Sequence, residues 1–197
     1  MILAKLNQPE FEYDIHSLIK AFFPEENVSA TAEDKKYEEE ITLQFQVEYE
    51  PQQIKIEWKE NGQESHDRSF PVDFSDRTEL KQNFYQILSE ITGKKLPWGT
   101  LTGIRPTKIP MKFLEEGKTE AEIRAYMQKT YFASDEKIDL SIAIAERELE
   151  ILKKIDYENG YSLYIGIPFC PTTCLYCSFT SYPLVSWRQK VDSYLDA

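Results

Sequence analysis

Cysteine is nearly missing from this chain of 197 residues: there are three, and none precedes position 170. A secreted disulfide framework uses an even number spread along the chain, so that class is excluded and a reducing compartment is expected. Long apolar runs are missing as well. No stretch approaches the roughly 20 residues that a membrane helix needs. The opening Met1-Ile2-Leu3-Ala4-Lys5-Leu6 has neither the apolar length nor the cleavage site of a signal peptide. Basic residues are in deficit, 23 Lys and Arg against 34 Asp and Glu, for a net charge of −11. Phosphate contacts need clustered cations, which argues against a nucleic-acid partner; the acidic surplus serves solubility. Polar low-complexity tracts and internal repeats are also lacking. What is there is an ordinary globular composition, 41% hydrophobic and 13% aromatic, sufficient for a buried core. The expectation is a cytoplasmic protein with no membrane span.

Along the chain, Met1–Leu6 predicts a short strand. Ile15, Leu18, Ile19 and Phe22 follow helical spacing from Glu10 until Pro24 stops the run. Glu33–Glu40 reads as a solvated acidic loop. Ile41, Leu43, Phe45, Val47 and Tyr49 alternate, as do Ile54, Ile56 and Trp58, which predicts strands with one buried face. Asn61-Gly62 turns into a third strand ending near Phe70. Leu80, Phe84, Ile87, Leu88 and Ile91 then mark a helix stopped by Gly93. Residues 1–95 are therefore expected to form an α+β domain of order β-α-β-β-β-α, compatible with a ferredoxin-like arrangement.

Residues 96–158 are expected to be a connector and helical segment. Leu96 to Pro106 is rich in Pro and Gly. A short helix runs from Lys108 to Glu116, a second opens on the capping box Thr119-x-x-Glu122, and a long third follows Ser134. Ile138, Ile142, Ala145, Leu149 and Leu152 give that third helix its stripe; Ile144, Ile151 and Ile155 widen it and predict extensive packing. Trp98, Arg105 and Lys108 read as residues of a domain junction. Glu146, Glu148 and Glu150 do not share a face, so no catalytic acid–base pair is assigned.

The chemistry lies at 159–197. Tyr161–Ile167 reads as a buried-type strand, the three cysteines follow at once, and Ser186–Ala197 reads as the start of a helix. Strand, functional loop and helix make the opening unit of a parallel β/α barrel, whose sites sit at the C-terminal ends of strands. Cys170-x3-Cys174-x2-Cys177 places three soft thiolate donors on one loop, suited to zinc or an iron–sulfur cluster. Structural zinc is normally closed by four ligands, and a fourth would have to come from His16 or His66, both remote. A [4Fe–4S] cluster with one iron left open fits the count better.

Cys-x3-Cys-x2-Cys after a first strand is the radical S-adenosylmethionine (SAM) signature. The longer run Tyr164-x-Gly166-Ile167-Pro168-Phe169-Cys170-Pro171-x-x-Cys174-x-Tyr176-Cys177-Ser178-Phe179 resembles the oxygen-independent coproporphyrinogen III oxidase (coproporphyrinogen dehydrogenase) family. Leu101-Thr-Gly-Ile-Arg-Pro-Thr-Lys108 resembles its HemZ-type branch. The resemblance implies that Cys170, Cys174 and Cys177 each hold one iron, that SAM binds the fourth, that Tyr164 seats SAM and that Tyr176 lies near its adenine. It further implies a reduced electron donor, reductive cleavage of SAM to a 5′-deoxyadenosyl radical, and oxidative decarboxylation of coproporphyrinogen III to protoporphyrinogen IX in anaerobic haem biosynthesis. Two positions depart from the family run: Gly166 stands where it has histidine, and Ser178-Phe179 where it has a further cysteine. A haem-trafficking or repurposed radical SAM paralogue therefore stays open, as does a non-catalytic binding module in residues 1–155. A barrel needs on the order of 200 to 250 residues, so the length predicts the N-terminal part of a longer enzyme, its barrel truncated and itself inactive.

Overall fold

Alternating apolar side chains can bury one face of a strand only if something covers that face, and here two helices do so. The computed structural model describes residues 1–71, 77–103, 105–156, 159–172, 174–179 and 181–197. They group into two compact units, Met1–Lys154 and Ile155–Ala197.

In the first unit, strands β1 (Ile2–Leu6), β2 (Val28–Thr31), β3 (Leu43–Glu50), β4 (Gln53–Glu60) and β5 (Ser65–Pro71) form one sheet in the order β2-β1-β3-β4-β5. β1 runs parallel to both neighbours, whereas β3, β4 and β5 are an antiparallel meander. Phe45, Val47, Ile54 and Ile56 are fully buried, while Gln44 and Glu57, next to Phe45 and Ile56 in sequence, face outward. Helices α1 (Glu12–Phe22) and α2 (Arg77–Thr92) complete that core through Ile15, Leu18, Phe22, Leu80, Phe84 and Leu88. The Phe45 and Phe84 rings meet at 5.1 Å.

The mixed order rules out the ferredoxin-like arrangement, whose sheet follows a different β-α-β-β-α-β plan. The difference comes from β2. Val28-Ser29-Ala30-Thr31 is too short and too polar to register as a strand, yet it pairs in parallel with β1 after α1 crosses back. α1 itself begins at Glu12, because Phe11 adopts a left-handed φ of 69°.

The connector and three helices follow the sequence closely. α3 (Lys108–Glu115), α4 (Glu120–Tyr131) and α5 (Asp135–Leu152) pack around Ile123, Met127, Ala133, Ile138 and Ile142. Both halves of the capping box form: Thr119 Oγ1 accepts from Glu122 N–H at 3.3 Å, and Glu122 Oε2 accepts from Thr119 N–H at 2.8 Å. Ser134 caps α5. Arg105 pairs with Glu148 at 3.4 Å, which ties the connector to α5, and Lys108 is the exposed first residue of α3. The wider stripe expected for α5 is a correction. Ile138, Ile142 and Ala145 are buried, but Ile144 and Ile151 project from the opposite side of the helix and are exposed, as is Ile155. At 100° per residue, positions 144 and 151 point away from 138 and 145.

The chain is tightest where the connector passes the end of α4. Thr100 N–H donates to the Tyr131 carbonyl at 2.8 Å. A Cβ on Gly99 (φ 56°) would stand 1.8 Å from the same oxygen, whereas a Cβ on Gly93 (φ 67°) would meet nothing within 4 Å. Gly93→Ala should therefore cost about 1–2 kcal/mol, the left-handed penalty alone. Gly99→Ala should cost about 3 kcal/mol or more, because backbone must also move. Urea denaturation of the two variants checks the order.

Candidate cluster-binding loop

A loop can aim its side chains only if its two ends are held together. In the Ile155–Ala197 unit, β6 (Phe169–Cys170) and β7 (Tyr182–Pro183) pair in parallel, Phe169 opposite Tyr182 and Cys170 opposite Pro183. Tyr182 N–H donates to the Pro168 carbonyl at 2.7 Å. Aromatic rings pack around this junction. Phe169 meets Tyr194 edge-on at 5.5 Å and lies 6.4 Å from Tyr182, and Tyr182 meets Trp187 at 4.6 Å. Trp187 ends α6 (Leu184–Trp187), a 3-10 turn follows at Arg188–Lys190, and Tyr194 lies on α7 (Val191–Leu195). The single helix expected from Ser186 is thus broken into short pieces. The Tyr194 hydroxyl donates to the Gly166 carbonyl across the loop entrance.

The three cysteines lie in the loop so closed, and all are free thiols. Cys177 N–H donates to the Cys174 carbonyl at 3.0 Å, a tight turn that brings the x2 pair together along the backbone. Cys170 and Cys177 are half-buried and line one cavity of about 480 Å³ with Tyr164, Gly166, Phe179 and Tyr194. Cys174 is exposed and outside that lining. The cavity thus gathers Tyr164 with two of the three cysteines, whereas Tyr176 is 91% exposed and points to solvent. Gly166 and Ser178-Phe179, where the chain departs from the family run, are on this same wall. A Cβ on Gly166 would stand 3.1 Å from the Tyr164 ring, so a larger residue there would have to shift that tyrosine.

Tyr161–Ile167 is not a strand here. It has no ladder partner among the described residues, and Leu163, Tyr164, Ile165 and Ile167 are all exposed. A parallel-type strand gains its stability from neighbours on its edges and helices on its faces, and the described residues of this unit supply only the two-residue ladder.

Among the described residues, no three His, Cys, Asp or Glu side chains stand close enough together to hold a metal ion. His16 is half-buried on α1, and His66 is exposed on β5 with its ring stacked on Trp58 at 5.7 Å. On donor chemistry the loop fits an iron–sulfur cluster: three free soft ligands, no disulfide, and a closed base. Sequence reasoning missed the aromatic residues of that base. Their signal was present as Phe169, Tyr182, Trp187 and Tyr194 flanking the cysteines, but contact between them depends on how the helices fold back.

The chain is 36% identical over 140 residues to the oxygen-independent coproporphyrinogen-III oxidase-like protein HemZ of Bacillus subtilis (strain 168). The chain belongs to the HemZ-type family. The match takes in 67% of the chain and 28% of the relative, so the chain spans less than a third of that protein's length. No family model and no solved structure matches it. In this HemZ-type chain no helix is long and apolar enough to cross a membrane, among the described residues.

The burial order predicts thiol reactivity. With the metal-free protein, Cys174 should be alkylated by iodoacetamide ahead of Cys170 and Cys177, since access governs the rate. Tyr194→Phe keeps the ring contacts and removes the bond to Gly166, worth about 1 kcal/mol. It should bring Cys170 and Cys177 closer to the Cys174 rate. Peptide mass spectrometry over a time course reads both effects, and equal wild-type rates would contradict the arrangement.

Proposed function

We propose that this chain carries the cluster-binding loop of a radical SAM oxidoreductase that acts on a porphyrinogen. The observation that carries the reading is Cys170-x3-Cys174-x2-Cys177, three free thiols on a loop closed at its base, in a HemZ-type chain. Cys170, Cys174 and Cys177 would each hold one iron of a [4Fe–4S] cluster, with Cys174 swinging inward as metal binding orders the loop. The fourth iron would be left for the amino and carboxylate groups of SAM. Tyr164 would seat SAM against the cavity wall, and Tyr176 would turn toward its adenine. When bound and reduced, the cluster supplies the electron that cleaves SAM at its sulfonium. The protein's own part is orientation and exclusion of water, because the cofactor performs the difficult step.

On this reading the substrate is coproporphyrinogen III. The SAM-derived radical would take a hydrogen atom from a propionate, which then loses CO2 and gives one electron to an acceptor to become a vinyl group; a separate reduced donor would supply only the electron that cleaves SAM, in a cytoplasmic setting without nucleic acid. Tyr161–Ile167 would be the first strand of a β/α barrel in a longer protein. Its mainly apolar side chains, exposed here, and its want of a ladder partner among the described residues support that role. A second reading, a haem-trafficking or repurposed paralogue, is favoured by one observation: both departures from the family run stand on the wall of the cysteine cavity.

The test is dithionite reduction of the reconstituted full-length protein with SAM under anaerobic conditions, with coproporphyrinogen III present and absent. The enzyme reading expects 5′-deoxyadenosine formation stimulated by the porphyrinogen, with vinyl product. SAM cleavage without porphyrinogen turnover would favour the paralogue. Porphyrinogen-independent binding with no SAM cleavage would contradict both.

A further inference from the structure

We infer that the Met1–Lys154 unit holds a binding site of its own for a small aromatic carboxylate, independent of the function proposed for the cysteine loop. The site is a cavity of about 730 Å³ walled by Tyr85, Leu96, Pro97 and Phe132, with Lys95 at its edge. That volume lies within the range of about 300–1,000 Å³ typical of small-molecule sites, which are mostly apolar with a few polar groups for orientation.

The walls are held in place by bonds to two separate helices. Tyr85 on α2 accepts the Leu96 N–H at its hydroxyl, at 2.9 Å, and the Ser134 N–H at the start of α5 donates to the Pro97 carbonyl at 2.9 Å. The Tyr85 and Phe132 rings are 5.6 Å apart and tilted by 51°. Phe132 presents its ring from a left-handed backbone with φ 57°. That conformation ends α4, with Phe132 as its C-cap donating its N–H to the Gln128 carbonyl. Tilted rings of this kind offer a flat ligand one face and one edge.

The charges around the rim select the sign of the ligand. Glu90 is paired with Arg68 at 2.8 Å and Glu136 with Lys137 at 2.9 Å. Lys95 has neither ion pair nor hydrogen bond among the described residues. The cavity therefore offers one uncommitted cation beside an aromatic surface. A chain of net charge −11 does not attract anions in general, so a carboxylate held here would be held by Lys95.

The probe is 3-phenylpropionate, with its neutral amide as control, titrated into the 15N-labelled chain and followed by amide chemical shifts. The expected result is saturable one-to-one binding with shifts centred on Tyr85, Leu96 and Phe132. The amide should bind about tenfold more weakly, and Lys95→Gln should weaken the acid by about the same factor, the usual effect of losing a charged hydrogen bond. Lys95→Arg should restore binding, and Lys112→Gln on α3 should leave it unchanged. Shifts that do not saturate, acid and amide binding alike, or full affinity in Lys95→Gln would each overturn the inference. Lys95 is exposed, so none of these substitutions threatens the fold.

Discussion

Three thiols can serve one metal centre only if the loop that carries them is held at both ends, and in this chain the hold is main-chain hydrogen bonding. Tyr182 N–H to the Pro168 carbonyl, and the short ladder beside it, close the loop through backbone alone, with Cys170 in the ladder but no thiol engaged. The cysteine side chains are thereby left free, two half-buried at a cavity and one exposed. Phe169, Tyr182, Trp187 and Tyr194 cover this junction. Tyr182, Trp187 and Tyr194 stay exposed, so the rings brace the junction by contact with one another and do not seal it from water.

The larger unit follows a different logic, in which a sheet and two helices share one core. Most of that was legible in the sequence because period-2 alternation at Leu43–Tyr49 and Ile54–Trp58 and helical spacing at Ile15–Phe22 each state which face is buried. Two of the three helices after the connector announce their own starts, α4 at Thr119 with Glu122 and α5 at Ser134. β2 was not legible, since four residues of mixed polarity leave no periodic signature. The ferredoxin-like expectation failed with it, for strand order depends on long-range pairing that spacing does not encode.

At the candidate site, Tyr164, Cys170 and Cys177 of the expected residues line one cavity. Side-chain direction was not legible, and Cys174 and Tyr176 face solvent. Tyr161–Ile167 and the outer face of α5 show the limit from the other side. Their residues are those of buried elements, yet Ile165, Ile167, Ile144 and Ile151 are exposed. Composition reports the environment a segment is suited to; burial also requires a partner surface, and the described residues do not provide one for these side chains.

The central claim is that Cys170, Cys174 and Cys177 bind one cluster together. It is tested most directly by anaerobic iron–sulfide reconstitution of this chain, with iron and sulfide counted per polypeptide and Mössbauer spectra recorded for the wild type and each Cys→Ser variant. The account predicts about four iron and four sulfide per chain with a [4Fe–4S] spectrum, and loss of that spectrum in all three variants, Cys174→Ser included. Zinc retained in place of iron, or a cluster that survives Cys174→Ser, would contradict it.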